Sequence, residues 1–351
     1  MKYQHGFIAV LLCASVAGCG GDGGGAAPAS NAPAGPAAST TLSSSVSSLA
    51  LSVTGLTEYG VSGTPSSGLA RTITITNTGS AAANGLTATP STALPSGTAI
   101  TSNTCASTLA PGASCAITIT PGNTPNSAPG PTAPTPVNLN VSGSNTNTVG
   151  VSILVLTYGN VYQSGYIFAV DDTTPTTGSI GGKVAALVDQ SGNMVWQTAF
   201  NAIPGINETS VASSTSCDGN RDGACNTQKI VAQYSSDPAN SYAAGLCTQL
   251  IDTRSDWYLP AICELGYDTT GSNTGCGTSS TPTVQNMQSN LEDLSVAGGP
   301  NGNFYWSSTE YSSIPNIDVW LQDFQTGGAS GQLVANKGNN LLVRCARTLT
   351  P

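Results

Sequence analysis

The segment Arg71-Thr-Ile-Thr-Ile-Thr-Asn77 alternates apolar and polar side chains with a strict period of two, which commits it to an extended strand with one face buried and one face wet. A helix would scatter these isoleucines around its circumference. The same period recurs at Leu49, Leu51 and Val53, at Ile117 and Ile119, at Val137, Leu139 and Val141, and at Val149, Val151 and Ile153. Clusters of Gly, Pro and Asn separate these runs, so the region predicts an all-β sandwich. The proline-rich stretch 121–136 is expected to be a loop at one end of it.

Cysteine arithmetic constrains the rest. The chain has 351 residues and ten cysteines. Cys13 lies in the apolar N-terminal stretch and Cys19 just after it, which leaves Cys105, Cys115, Cys217, Cys225, Cys247, Cys263, Cys276 and Cys345. An even number in an exported chain reads as four disulfides. Thiolate metal binding is the competing reading, but there is no C-x-x-C pair and the one histidine, His5, precedes Cys19. Cys105 and Cys115 flank Leu109-Ala-Pro-Gly112, whose Pro-Gly suits the centre of a type II turn, so a local bridge between adjacent strands is expected there.

The N-terminus carries an address. Lys2 is followed by an apolar stretch from Phe7 to Val16, too short to span a bilayer. Val16-Ala-Gly-Cys19 resembles the lipobox of bacterial lipoproteins. The resemblance implies a signal peptide over 1–18, lipidation of Cys19, and anchorage in a membrane through acyl chains worth about 0.8 kcal/mol per buried methylene. Gly20 stands where Asp would signal inner-membrane retention, so the outer membrane, with a surface-exposed protein, is the expected location. Residues 19–45 are Gly, Ala, Pro and Ser-rich and read as a flexible tether spanning roughly 25–30 Å.

Composition excludes some partners. With 9 basic and 18 acidic side chains the net charge is -9, which rules against nucleic acid. From residue 158 onward aromatic residues, charge and six of the bridging cysteines concentrate, marking a second domain over 158–351 after a first over 46–157. Helices are predicted at Ser241–Ile251, with Ala243, Leu246, Cys247 and Leu250 on one face, and at Val284–Leu294. The fold class expected is therefore β-rich and multidomain: an immunoglobulin-like β-sandwich followed by an α+β domain.

Two resemblances sharpen this reading. Asn77-Thr-Gly79, Ser102-Asn-Thr-Cys105 and Leu109 to Ile119 resemble the Hydin-type immunoglobulin-like modules of bacterial surface proteins. Asp256-Trp-Tyr-Leu-Pro-Ala-Ile-Cys-Glu-Leu265, Phe304-Tyr-Trp-Ser-Ser-Thr-Glu310 and Leu342-Val-Arg-Cys-Ala-Arg347, in that order, resemble the C-terminal domain of the Legionella collagen-like adhesin family, domain of unknown function 1566. Asp222-Gly223 with Asn226 to Ile230 fits the same pattern. This likeness implies a C-type-lectin-like fold in which Cys247 bridges to Cys345, with Cys217–Cys225 and Cys263–Cys276 as local staples. It also implies a surface adhesion role with an extracellular glycan or protein as ligand. Trp257, Leu259, Leu265 and Trp306 read as core.

Candidate ligand contacts are the polar and aromatic residues Asn303, Tyr305, Glu310, Tyr311, Asp318, Trp320 and Asp323, because sugars need flat aromatic faces and amide or carboxylate acceptors. The excess of acid in this domain disfavours a polyanionic ligand, unless Arg254, Lys337, Arg344 and Arg347 gather into a basic patch. Asp218-Gly-Asn-Arg-Asp-Gly223 groups calcium-type oxygen donors Asp218, Asn220 and Asp222, but Lys229 stands where a bidentate carboxylate would close the loop. A disulfide-pinned turn is the alternative and the favoured one, and no cofactor is expected. Without histidine past residue 5, Ser-His-Asp and Cys-His chemistry is excluded, so the chain is expected to be no enzyme. The sequence thus predicts a non-enzymatic adhesion or ligand-binding lipoprotein, with a structural subunit of a cell-envelope or pilus-like assembly as the alternative.

Overall fold

The computed structural model describes residues 39–56, 67–105, 107–173, 178–300, 302–324 and 330–351. The signal peptide, Cys19 and most of the expected tether lie outside the described residues. The chain is β-rich with several sheets. Its first part comprises β1 (Leu42–Ser44), β2 (Ser48–Ser52), β3 (Arg71–Asn77), β4 (Thr87–Pro90), β5 (Ala99–Asn103), β6 (Ser114–Thr120), β7 (Val137–Ser142) and β8 (Val149–Leu156). They form two four-stranded sheets, in the orders β1-β3-β6-β5 and β2-β8-β7-β4, with β2 and β8 parallel.

The alternating isoleucines explain this arrangement. Ile73, Ile75, Ile117 and Ile119 from one sheet and Leu49, Leu51, Leu139, Val141, Val151 and Ile153 from the other share a single buried core. On the outward face of β3 and β6, Thr72 meets Thr118 at 2.9 Å and Thr76 meets Ser114 at 2.8 Å, cross-strand hydroxyl pairs that fix register. One boundary needs correcting. Leu42 to Ser44, read as tether, form β1 and pair with β3, because Leu42 has a buried place in this core.

The second part contains β9 (Val161–Tyr162), β10 (Gly165–Asp171), β11 (Gly181–Ala186), β12 (Ser191–Val195), β13 (Phe304–Glu310), β14 (Asp318–Asp323), β15 (Gly331–Asn336), β16 (Asn340–Val343) and β17 (Ala346–Thr348). They make a four-stranded sheet, β17-β11-β10-β9, and a five-stranded one, β12-β16-β13-β14-β15. Helices α1 (Gly223–Gln233), α2 (Ala243–Cys247) and α3 (Ile262–Leu265) pack beside them. Trp196, Trp257, Leu259 and Trp306 are buried in the largest core cluster, and Leu265 in a neighbouring one.

Helix α1 was not anticipated, and Asp222 accounts for it: its carboxylate accepts the backbone N–H of Cys225 at 2.9 Å and caps the first turn. The helix predicted over 241–251 shortens to α2, because Asp252 and Thr253 turn the chain through left-handed φ angles of 46° and 67° and Leu250 is left exposed. Over 284–294 the helical segment is a wide π-type turn at Gln288–Glu292.

Four disulfides close the fold: Cys105–Cys115, Cys217–Cys225, Cys247–Cys345 and Cys263–Cys276. The two parts meet at a sealed junction. Asp172 accepts hydrogen bonds from the Arg71 guanidinium, from Ser52 Oγ at 2.9 Å and from the Leu69 N–H at 2.8 Å, and both members of the ion pair are fully buried. Ala50 N–H donates to the Gly178 carbonyl at 2.9 Å, and Asn160 Nδ2 to the Ser127 carbonyl at 3.2 Å, so the proline-rich loop forms part of this seam. Ala50 and Leu156 of the first part pack into the core of the second.

Buried tyrosines give the second part a sensitivity to alkali. Burial, then the charge of Glu310, push the Tyr234 hydroxyl from 10.0 up to about 12. Burial, then Glu264, hold Tyr258 well above its ordinary value, and burial, then Asp237, raise Tyr242. In the unfolded chain these groups ionise near their ordinary value while the folded chain keeps its protons. Their contribution is complete below pH 10 and is lost as the pH rises toward 12 and beyond. Urea midpoints should therefore fall steeply across that window, and Tyr234→Phe should make the fall shallower; an unchanged slope would remove Tyr234 from the account.

Candidate functional site

A concavity lies between α1 and the segment Ser255 to Tyr258. Its volume is about 520 Å³, within the range of roughly 300–1,000 Å³ that small-molecule sites occupy. One wall is a helical stripe: Ala224, Thr227 with Gln228, Val231 with Ala232, and Ser235, each a turn from the next. Trp257 and Tyr258 close the inner side, and Thr248, at the end of α2, and Ser255 complete the rim.

Glu264 positions these walls. Its carboxylate accepts the N–H groups of Gly223 at 3.2 Å and Ala261 at 2.8 Å, tying the start of α1 to the start of α3. It also accepts the Tyr258 hydroxyl at 3.0 Å and pairs with Lys183. Only glycine fits at 223, where a Cβ would stand 2.4 Å from Glu264 Oε2 and 2.6 Å from Ala261 N.

Asp256 is the only ionisable side chain besides Tyr258 on this lining. Its carboxylate is half exposed and is held from behind by the fully buried Arg347, at 3.1 Å. Arg347 also donates to the Gln163 carbonyl at 2.6 Å and the Thr348 carbonyl at 3.0 Å, and its guanidinium lies 5.7 Å from the Trp257 ring centre. The carboxylate is thereby fixed in orientation while its outer side stays accessible.

The residues proposed from sequence as ligand contacts do not form a common surface. Tyr305 is buried and donates to Asp189 at 3.0 Å. Trp320 is buried, donates through Nε1 to Glu208 at 3.0 Å and meets Tyr311 edge to face at 5.3 Å. Glu310 is buried, accepts from Ile203 N–H at 3.0 Å and pairs with Lys337 at 2.5 Å. Burial raises the Glu310 carboxyl and lowers the Lys337 ammonium, each partly opposed by the other. Asn303 is exposed, whereas Asp318 and Asp323, at the two ends of β14, are half-buried. The physical reason is that β13 and β14 are inner strands of the five-stranded sheet.

The calcium-type donors are likewise engaged elsewhere. Asp218 lies 3.6 Å from Arg221, Asn220 Nδ2 donates to the Thr274 carbonyl at 2.7 Å, and Asp222 caps α1. Nor is there a basic patch: Lys337, Arg344 and Arg347 are buried apart from one another, each on its own carboxylate, and Arg254 is half-buried.

The cleft itself escaped the sequence reading. Its available signal was the stripe Ala224, Gln228, Val231, Ser235 following the capping Asp222.

No family model matches the chain, and no curated protein matches it. Two solved structures from Vibrio cholerae show some likeness. The VesB protease shares 20% identity over 33% of this chain and 32% of that one, with a TM-score of 0.23. The secreted serine protease VesC shares 17% over 42% and 33%, with a TM-score of 0.22. The match thus spans about a third of the length of either protein.

Both are named as proteases. The expectations of a non-enzymatic adhesion or structural protein, and of a chain that is no enzyme, are withdrawn on that finding. A likeness of this size gives the chain neither a protease fold nor an activity. Among the described residues there is no histidine with which to build a serine-protease triad.

Proposed function

We propose that the chain is an exported lipoprotein, held at the outer membrane through lipid on Cys19, whose C-terminal part acts on a small molecule taken into the cleft beside α1. The observation that carries this reading is the cleft: an open concavity with a mostly apolar wall on α1 and one oriented carboxylate, Asp256. The lipobox at Val16 to Cys19 and four disulfides support the exported address. Within the same proposal the first part is an immunoglobulin-like spacer, supported by its two sheets over one core. The second is a lectin-like module of the Legionella collagen-like adhesin type, supported by the α2-to-C-terminus bridge Cys247–Cys345.

Two experiments test it. Radiolabelled palmitate should enter the wild-type chain in cells and be absent from Cys19→Ala; equal labelling sinks the anchor. A small-molecule library screened by thermal shift against the mature chain should yield hits that disappear in Val231→Trp, which fills the cleft. Each hit recovered and weighed by mass spectrometry then reports whether it is bound unchanged or converted. Hits indifferent to Val231→Trp would move the site elsewhere.

A further inference from the structure

We infer that the cleft beside α1 selects a cationic amphiphile, a molecule with an apolar body and an ammonium group, and that Asp256 is the residue that selects it; this rests on the cleft being the working site. The apolar requirement follows from Ala224, Val231 and Ala232, which present only methyl and methylene surface along one wall. Burying that surface against a ligand body is favourable by about 25 cal/mol per Å².

The charge requirement follows from Asp256. Its carboxylate is 54% exposed at the rim, while the guanidinium that orients it is wholly buried behind it. Arg347 also donates through its two terminal nitrogens to Gln163 and Thr348 and lies over Trp257. A ligand in the cleft therefore meets the anion and not the cation. No lysine or arginine lines the cleft, and the neutral rim groups Gln228, Ser235, Thr248 and Ser255 all offer acceptor oxygens to an N–H.

The wider field acts the same way. From residue 158 onward the sequence has sixteen acidic and seven basic side chains. Five of those bases, Lys183, Arg221, Lys337, Arg344 and Arg347, are already paired with carboxylates. The surplus is negative, which concentrates cations near the module and keeps anions away.

The test uses the full mature, oxidised chain and three probes of one shape: 4-phenylbutylamine, 4-phenylbutanol and 4-phenylbutyrate, titrated calorimetrically at low and high salt. The amine should bind about tenfold or more tighter than the alcohol, as a charge-assisted contact gives, and the butyrate most weakly. Raising the salt should narrow the difference. Asp256→Asn should bring amine and alcohol to similar affinity, and Val231→Trp, which touches no ion pair, should abolish binding of all three.

Equal binding of amine and alcohol to the wild type, or an amine preference that survives Asp256→Asn, overturns the cationic class and leaves the cleft reading standing. Binding of none of the probes, or binding unaffected by Val231→Trp, overturns both. Urea midpoints of the two variants confirm that each is folded before its binding is scored.

Discussion

Replacing both Cys247 and Cys345 by Ala should lower unfolding stability by about 4–5 kcal/mol, the largest effect of any bridge in the molecule. The bond closes a loop with a sequence separation of 98, against 10, 8 and 13 for the other three. Loop-closure entropy grows with the logarithm of that length, so the short staples are each worth about 3 kcal/mol or less. Both sulfurs are also fully buried, which adds the cost of incomplete repacking around two lost atoms. Against a typical total of about 5–15 kcal/mol, the variant should be marginal at body temperature. Tryptophan fluorescence in a urea titration reads the result. A loss of under about 1 kcal/mol would mean that the unfolded chain is already compact without the bridge.

Asp172→Ala should come next, at about 3–5 kcal/mol, because it removes a fully buried carboxylate that the equally buried guanidinium of Arg71 faces. The same substitution removes the acceptor for Ser52 Oγ and for the Leu69 N–H, so three donors are affected at the seam between the two parts. Arg71→Met with Asp172→Leu should cost less than the single change, since an apolar pair removes both buried charges together. The measurement is again a urea midpoint, with tryptophan fluorescence for the second part and far-ultraviolet dichroism for the whole. Coincident curves are expected in the wild type. If Asp172→Ala left the midpoint unmoved, the ion pair would have no role in joining the parts.

How far the sequence foretold this molecule differs from place to place, and the differences have physical causes. The strands around Ile73, Ile117, Leu139 and Val151 were legible because period-two burial is a local property of the chain. Strand β1 was not, since Leu42 is one apolar residue amid Ser and Thr and its partner Asn77 lies far along the chain. Helix α1 was hidden by its own capping sequence: Asp218-Gly-Asn-Arg-Asp-Gly223 has the composition of an oxygen-rich loop. Its buried face also uses Asn226 and Thr227, whose amide and hydroxyl bond to Gly219 and Leu259 and so break the apolar stripe.

The candidate site was less legible still. Tyr305, Glu310 and Trp320 have the chemistry of a sugar platform, yet each has its polar atom satisfied inside the fold by Asp189, Lys337 or Glu208. Partners so far apart in sequence cannot be seen from one strand. The cleft depends on the reverse situation: Asp256 sits within a segment otherwise dominated by core residues, and nothing local reveals that its carboxylate faces outward.

The spacing of the bridges has a consequence for how the chain is made. Synthesised from its N-terminus, the chain presents Cys105 and Cys115 together, then Cys217 and Cys225, each close to its partner. Cys247 emerges without one. Cys263 and Cys276 follow shortly, and only they lie within easy reach until Cys345 appears at the far end. During that interval three thiols compete for one bond, and two of the three pairings are foreign to the finished molecule. A chain cut short before Cys345 would carry an odd thiol in α2. In an oxidising compartment the second part would thus be a natural client for a disulfide isomerase, and Cys345, just before β17, completes its set of bridges.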